Sequence, residues 1–241
     1  MKRLISVLLC FVVNSAVGPA SADRTIVEDS QGKVTYAMIH CAPAMLVDNA
    51  LRCHDEEQKK LDRVLAARWI EQAASLNGVS VTPTDEIEVR HIVERLHPQT
   101  AEAAKHFRDV LDAVVRIREG VPKDRAVAEA AREGVRAEDI DTELAWLPDI
   151  ASAKAAAAKD FVKEGDERNA QSARLRILAG KLEKLVAARA EHNHVAFEVA
   201  EEQFWNEVLN RVHTRVIDDS YRLRERKGVL RPHVERIALS H

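Results

Sequence analysis

Glu86-Ile87-Glu88-Val89-Arg90-His91-Ile92-Val93 is the stretch whose reading decides the fold. Ile87, Val89 and His91 alternate with Glu86, Glu88 and Arg90, and the run closes on two β-branched residues. Successive strand side chains point to opposite faces, so this period of two predicts a strand over 87–93 with one buried face. Pro98 then precedes a helical pattern from Thr100 to Glu119, with Phe107, Val110, Leu111, Val114 and Ile117 on one side. Gly120 stands where a helix stop belongs, with Pro122 just beyond. A second helix is expected from Lys123 to Arg132, ending near Gly134. The segment closes on Glu143-Leu144-Ala145-Trp146-Leu147-Pro148.

This order of strand, long helix, glycine and short helix resembles the parvulin-type peptidyl-prolyl isomerase domain. Arg90-His91-Ile92-Val93 matches the basic residue, histidine, isoleucine and aliphatic of that family's first strand. Asp141-Thr142-Glu143-Leu144-Ala145-Trp146 lines up with its Gly-Gly-x-Leu-Gly-Trp-like segment through Leu144 and Trp146, without the glycines. Lys163-Glu164-Gly165-Asp166 resembles the turn before the last parvulin strand, and 173–178 would then be that strand. The resemblance makes residues 86–189 a small α/β domain. It makes His91 the catalytic histidine and Leu144, Trp146, Phe161 and Arg176 contributors to the proline pocket. Arg176 stands where the family has its second histidine, and a guanidinium is bulky and always charged. The competing reading of His91 is a core histidine bonded to a neighbouring strand.

The segment before it also has a recognisable pattern. Asp55 is an expected N-cap with Gln58 three residues on, and Leu61, Val64, Leu65, Trp69, Ala73 and Leu76 follow at helical spacing. Asn77-Gly78 ends that helix. Ile70 to Ala74, followed by Gly78-Val79-Ser80-Val81-Thr82, resembles the N-terminal chaperone domain of SurA-like and PrsA-like exported foldases. In those foldases a C-terminal helix packs back on the N-terminal segment. Here Phe197, Ala200, Phe204, Val208, Val212 and Val216 mark a helix expected to reach about Arg226, before Gly228 and an extended tail over Val229 to Leu239. The expected fold is therefore α+β and mostly helical. A discontinuous chaperone-like domain from 23–85 and 190–241 would carry the parvulin-like domain at 86–189.

At the N-terminus, Lys2 and Arg3 precede the apolar run Leu4 to Val13, and Ala20-Ser21-Ala22 is a small-x-small cleavage site. That is the pattern of a secretory signal peptide over 1–22, and it predicts export to the periplasm. The apolar run is too short for a stable membrane span. Cys41 and Cys53 remain after cleavage. Export favours a disulfide between them, and two small buried hydrophobes is the other reading. Thr25-Ile26-Val27 and Val34 to Ile39, separated by turn residues, predict a hairpin. Ala42 to Leu51 reads as a short helix, and Ile150 to Val162 as an Ala-rich one.

Composition narrows the chemistry. The 241 residues are 46% hydrophobic and 31% charged with formal net charge -3, enough for a core and without a basic block, so no nucleic-acid partner is expected. His192-Asn193-His194 lacks a third well-spaced ligand, and His40-Cys41 with Cys53-His54 suits oxidation better than zinc, so no metal and no cofactor is expected. No Gly-x-Ser-x-Gly elbow or phosphate-binding glycine loop is present. The function these features imply is an exported peptidyl-prolyl cis-trans isomerase-like foldase that binds unfolded or proline-containing polypeptides. The alternatives are an inactive holdase of the same architecture, or a helical periplasmic scaffold.

Overall fold

The structure is a computed structural model and describes residues 24–39, 50–218, 220–221, 225–226 and 229–230. The signal peptide expected over 1–22 lies outside these residues, as do Cys41 and the side chain of Cys53. The described chain is mostly helical with a small antiparallel sheet, divided into two units. A mixed unit is built from 24–39, 55–89 and the chain from Ser172 onward, and a helical unit from 50–54 and Arg90–Gln171.

In the mixed unit, β1 (Thr25–Asp29) and β2 (Gly32–Thr35) form a hairpin where one is expected, with Val27 opposite Val34 and Asp29 opposite Gly32, but its second arm ends at Thr35 and Tyr36–Ile39 is a helical turn. Gly32 adopts φ 112°, a conformation costly for any residue with a Cβ. The far end of the chain returns to this hairpin. β3 (Arg215–Val216) pairs antiparallel with β1, giving the order β2-β1-β3. Ile26, Val27 and Val34 bury against α1 (Ala50–Leu76) through Leu61, Leu65 and Trp69. The same core takes in Phe204, Trp205 and Val208 of α7 (Phe197–Val212), so the C-terminal helix docks on the first long helix. A second two-stranded ladder, β4 (Glu225–Arg226) with β5 (Val229–Leu230), follows.

The helix expected to run to Arg226 stops at Val212. His213 takes the left-handed conformation, φ 52°, and its N–H closes the helix on the Leu209 carbonyl at 3.1 Å. The turn is what frees Arg215 and Val216 to join the sheet.

The strand expected over 87–93 is helix. It lies near the start of α2 (Pro83–Arg118). Thr82 and Asp85 cap that helix reciprocally. The Asp85 carboxylate accepts from the Thr82 N–H at 2.5 Å and hydroxyl at 2.6 Å, and the Asp85 N–H donates to the Thr82 hydroxyl at 3.3 Å. Pro83 occupies the first helical position, where its missing N–H costs nothing. Ile87, read as buried, is 47% exposed, whereas Val89 is 2% exposed. Val89 begins a stripe through Val93, Leu96, Thr100, Ala104, Phe107, Leu111 and Val114, spaced by three and four. Pro98 interrupts one backbone bond within it, a cost of about 3 kcal/mol. Burying one Phe or Leu side chain offsets about 1.5–3 kcal/mol, and this stripe buries several.

The second expected strand, 174–178, is also helix, inside α6 (Phe161–His192). The two segments nevertheless meet at their starts. Arg174 donates to both Glu86 oxygens, at 2.7 and 3.0 Å, and Lys181 pairs with Asp85. Lys181 lowers the Asp85 carboxyl to about 2, with the Thr82 cap adding to the effect. The sequence thus marks two neighbouring segments, but each satisfies its backbone bonds internally. No strand forms anywhere in 86–189, so the small α/β domain expected there is helical instead.

The helical unit comprises most of α2, then α3 (Lys123–Ala130), a 3-10 turn, α4 (Ala137–Trp146), α5 (Ile150–Ala157) and the first part of α6. Gly120 and Gly134 end their helices with positive φ, as expected. Asp149 and Ser152 form a capping box that starts α5, which ends at Ala157 rather than Val162. Lys163-Glu164-Gly165-Asp166, expected as a turn, lies in the first turns of α6. There Gly165 lets α2 approach closely. A Cβ on it would collide with the Thr100 methyl. Phe107 and Phe161 meet edge to face beside this crossing, centroids 4.8 Å apart.

Candidate functional site

The residues expected to form a proline pocket do not gather into one. His91 is on a solvent-facing turn of α2, its side chain 73% exposed and 3.5 Å from Glu94 of the same helix. That position removes it from any pocket floor, and also from the core position that was its other reading. Arg176 is exposed on α6, in the mixed unit. Leu144, Trp146 and Phe161 do come together, but as core of the helical unit beside Phe107, Val110 and Ile140. Their apolar character arises from packing α4 and α6 onto α2.

Two buried polar constellations hold the mixed unit, and neither was read from the sequence. Glu57 of α1 is 4% exposed and accepts from the hydroxyls of Tyr36 and Tyr221, each at 2.8 Å. Burial, then the hydrogen bond to Glu57, pushes Tyr36 up to about 12, and the same causes raise Tyr221. These bonds tie Tyr36, just after the hairpin, and Tyr221, beyond β3, to one carboxylate. Arg68 of α1 binds Asp29 at 3.0 Å and donates to the carbonyls of Gly32 and Lys33 at 3.0 and 3.1 Å. That guanidinium fixes the hairpin turn on the helix. A heptad-like helix pattern hides both groups, because Glu57 and Arg68 read there as ordinary polar positions.

The helical unit has a further pair of carboxylates. Asp139 and Glu143 lie one turn apart on α4 and are 5% and 1% exposed. Arg136 clamps Asp139 at 3.0 and 2.6 Å, and His106 of α2 approaches it at 3.6 Å. One Glu143 oxygen is buried without a hydrogen-bond partner. Desolvation, reinforced by the Asp139 charge, pushes the Glu143 carboxyl up to about 7.

An open cleft with hydrogen-bonding walls lies in the mixed unit, between α6 and α7. It holds about 340 Å³ and is lined by Arg189, Asn193, Ala200, Gln203, Phe204 and Glu207. Arg189 is held there by Asn77 at 2.7 Å and Glu207 at 3.3 Å, with its guanidinium over the Phe204 ring. The Phe204 ring beneath is 1% exposed and covered by Arg189, so the groups the cleft presents are the exposed Asn193 and Gln203 carboxamides and the guanidinium, which can hydrogen-bond a polypeptide backbone. They include no nucleophile. Among the described residues no group of three His, Cys, Asp or Glu side chains is arranged for a metal, and no helix is long and apolar enough to cross a membrane.

Compared with protein-family models, curated proteins and solved structures, the chain matches none significantly.

Proposed function

We propose that this protein is an exported, non-catalytic holdase that binds unfolded polypeptides. The observation that carries the reading is the cleft between α6 and α7. Its exposed Asn193 and Gln203 carboxamides and its fixed guanidinium fit an extended peptide backbone of varied sequence. Prolyl isomerisation needs an enclosed apolar pocket that favours a twisted amide against a barrier of ~18–20 kcal/mol. His91 is 73% exposed on a helix face and Arg176 is exposed on α6, so neither side chain lines an enclosed apolar pocket. The signal-peptide pattern at 1–22 supports a periplasmic setting. The helical character of 86–189 favours, as a second reading, a scaffold with no client.

The test uses the chain without residues 1–22 and a client that aggregates on dilution from denaturant. The expected result is suppression of aggregation near stoichiometric ratio, with no acceleration of cis-trans exchange in a short Xaa-Pro peptide. His91→Ala should change neither, and Asn193→Ala with Gln203→Ala should weaken suppression severalfold. Exchange as fast as with a parvulin control, and lost in His91→Ala, would restore the isomerase reading. Absence of both activities would leave the scaffold.

A further inference from the structure

We propose that α4 is a proton-controlled latch: Glu143, one of whose oxygens is buried unmatched a single turn from Asp139, holds α4 on its core when protonated and loosens it when ionised. The proposal is independent of what the protein binds. Three observations on geometry carry it. First, Glu143 is 1% exposed and lies on the same helix as Ile140 and Trp146, which bury into the helical core. Second, the cations near it are already engaged. Arg136 spends its donors on Asp139, and His106 of α2 faces Asp139 as well. Arg118 of α2 donates to the carbonyls of Leu144 and Leu147 at 2.6 and 2.9 Å, capping the end of α4. Lys123 pairs with Asp141 on the exposed side of α4. Third, the Glu143 oxygen therefore meets a negative neighbour and no donor, so a proton stabilises it and a charge does not.

The direction of the pH effect follows from proton binding. The folded-state value, about 7, lies above the ordinary 4.5, so between these values the folded unit holds a proton that the unfolded chain releases. Stability of α4 on its core is greatest at and below about pH 4.5, declines as pH rises toward 7, and levels off above.

Hydrogen exchange of the full chain, read on peptides covering 137–147 and corrected for intrinsic rates, tests the latch. Protection should fall on the order of tenfold or more between pH 5 and pH 8. In Glu143→Gln, which keeps the shape and removes the charge, the fall should largely disappear, and protection at pH 8 should exceed wild type. An equal fall in both proteins would overturn the proposal. Should Glu143→Gln not fold, a carbon-13 carboxyl titration of the wild-type protein decides the matter. A Glu143 midpoint near 7 upholds the latch, and one below about 5 refutes it.

Discussion

Phe204→Ala should destabilise the mixed unit by about 3–5 kcal/mol, the range for removing a fully buried aromatic ring from a core. Phe204 is 1% exposed on α7 and sits in the same cluster as Leu61, Leu65 and Trp69 of α1. Its ring stands edge to face with Trp205, centroids 5.1 Å apart, and carries the Arg189 guanidinium at 5.2 Å. Alanine loses the transfer free energy of the ring and leaves a void that helices fixed by other contacts cannot close. Val199, on the same helix but 43% exposed, provides the control. Val199→Ala should cost less than about 0.5 kcal/mol. Urea unfolding followed by circular dichroism measures both. Equal midpoints for the two variants would mean that α7 does not dock through this face.

Glu57→Leu is the second change expected to have a large effect. The carboxylate accepts from two phenol hydroxyls in a buried site, and hydrogen bonds to a charged group contribute about 1.5–3 kcal/mol each. Leucine fills similar volume but deprives Tyr36 and Tyr221 of that acceptor, so a loss of about 2–4 kcal/mol is expected. The specific signature is recovery. Adding Tyr36→Phe and Tyr221→Phe to Glu57→Leu removes the two hydroxyls along with their shared acceptor, and should restore much of the loss. Additive losses across the three substitutions, measured in the same urea experiment, would show that the hydroxyls do not depend on Glu57. Because Tyr221 lies 164 positions from Glu57 in the chain, the bond also explains how the segment after β3 is held to α1.

The parts of this fold legible in the sequence were those governed by local chemistry. Asn77-Gly78, Gly120 and Gly134 stop helices where their conformational freedom predicts, with positive φ at each glycine. The hairpin over 25–35 follows from turn residues between β-branched runs. The docking of α7 on α1 followed from two apolar helical faces that water would not leave uncovered.

The misread segments show where pattern and context diverged. Over 86–93, alternation and helical spacing both fit a run of eight residues, and the deciding signal lay just upstream. Thr82-Pro83-Thr84-Asp85 combines an N-cap, a proline at the first helical position and a returning carboxylate. Over 174–178, Arg174 and Arg176 flank apolar Leu175 and Ile177, which again reads as alternation. The longer pattern Leu178, Leu182, Val186, Ala190 sets the helix instead. The resemblance of Lys163-Glu164-Gly165-Asp166 to a parvulin turn places Gly165 in a turn, and within a helix a glycine costs about 1 kcal/mol against alanine. Its reason is tertiary, the approach of Thr100 from another helix, and no local pattern carries that. The expected site was misplaced for the same cause. Once 86–93 is helix, His91 turns toward solvent, while Leu144, Trp146 and Phe161 are committed to packing.

The secondary structure of residues 86–93 and 174–178 in the full chain tests this account most directly, because the helical character of the segments expected to carry the isomerase site rests on it. Backbone chemical shifts and amide-proton contacts by NMR report it residue by residue. The account predicts helical shifts through both segments, sequential amide contacts along each, and proximity between the Glu86 and Arg174 side chains. Extended shifts in both segments, with backbone contacts running across from one to the other, would contradict it.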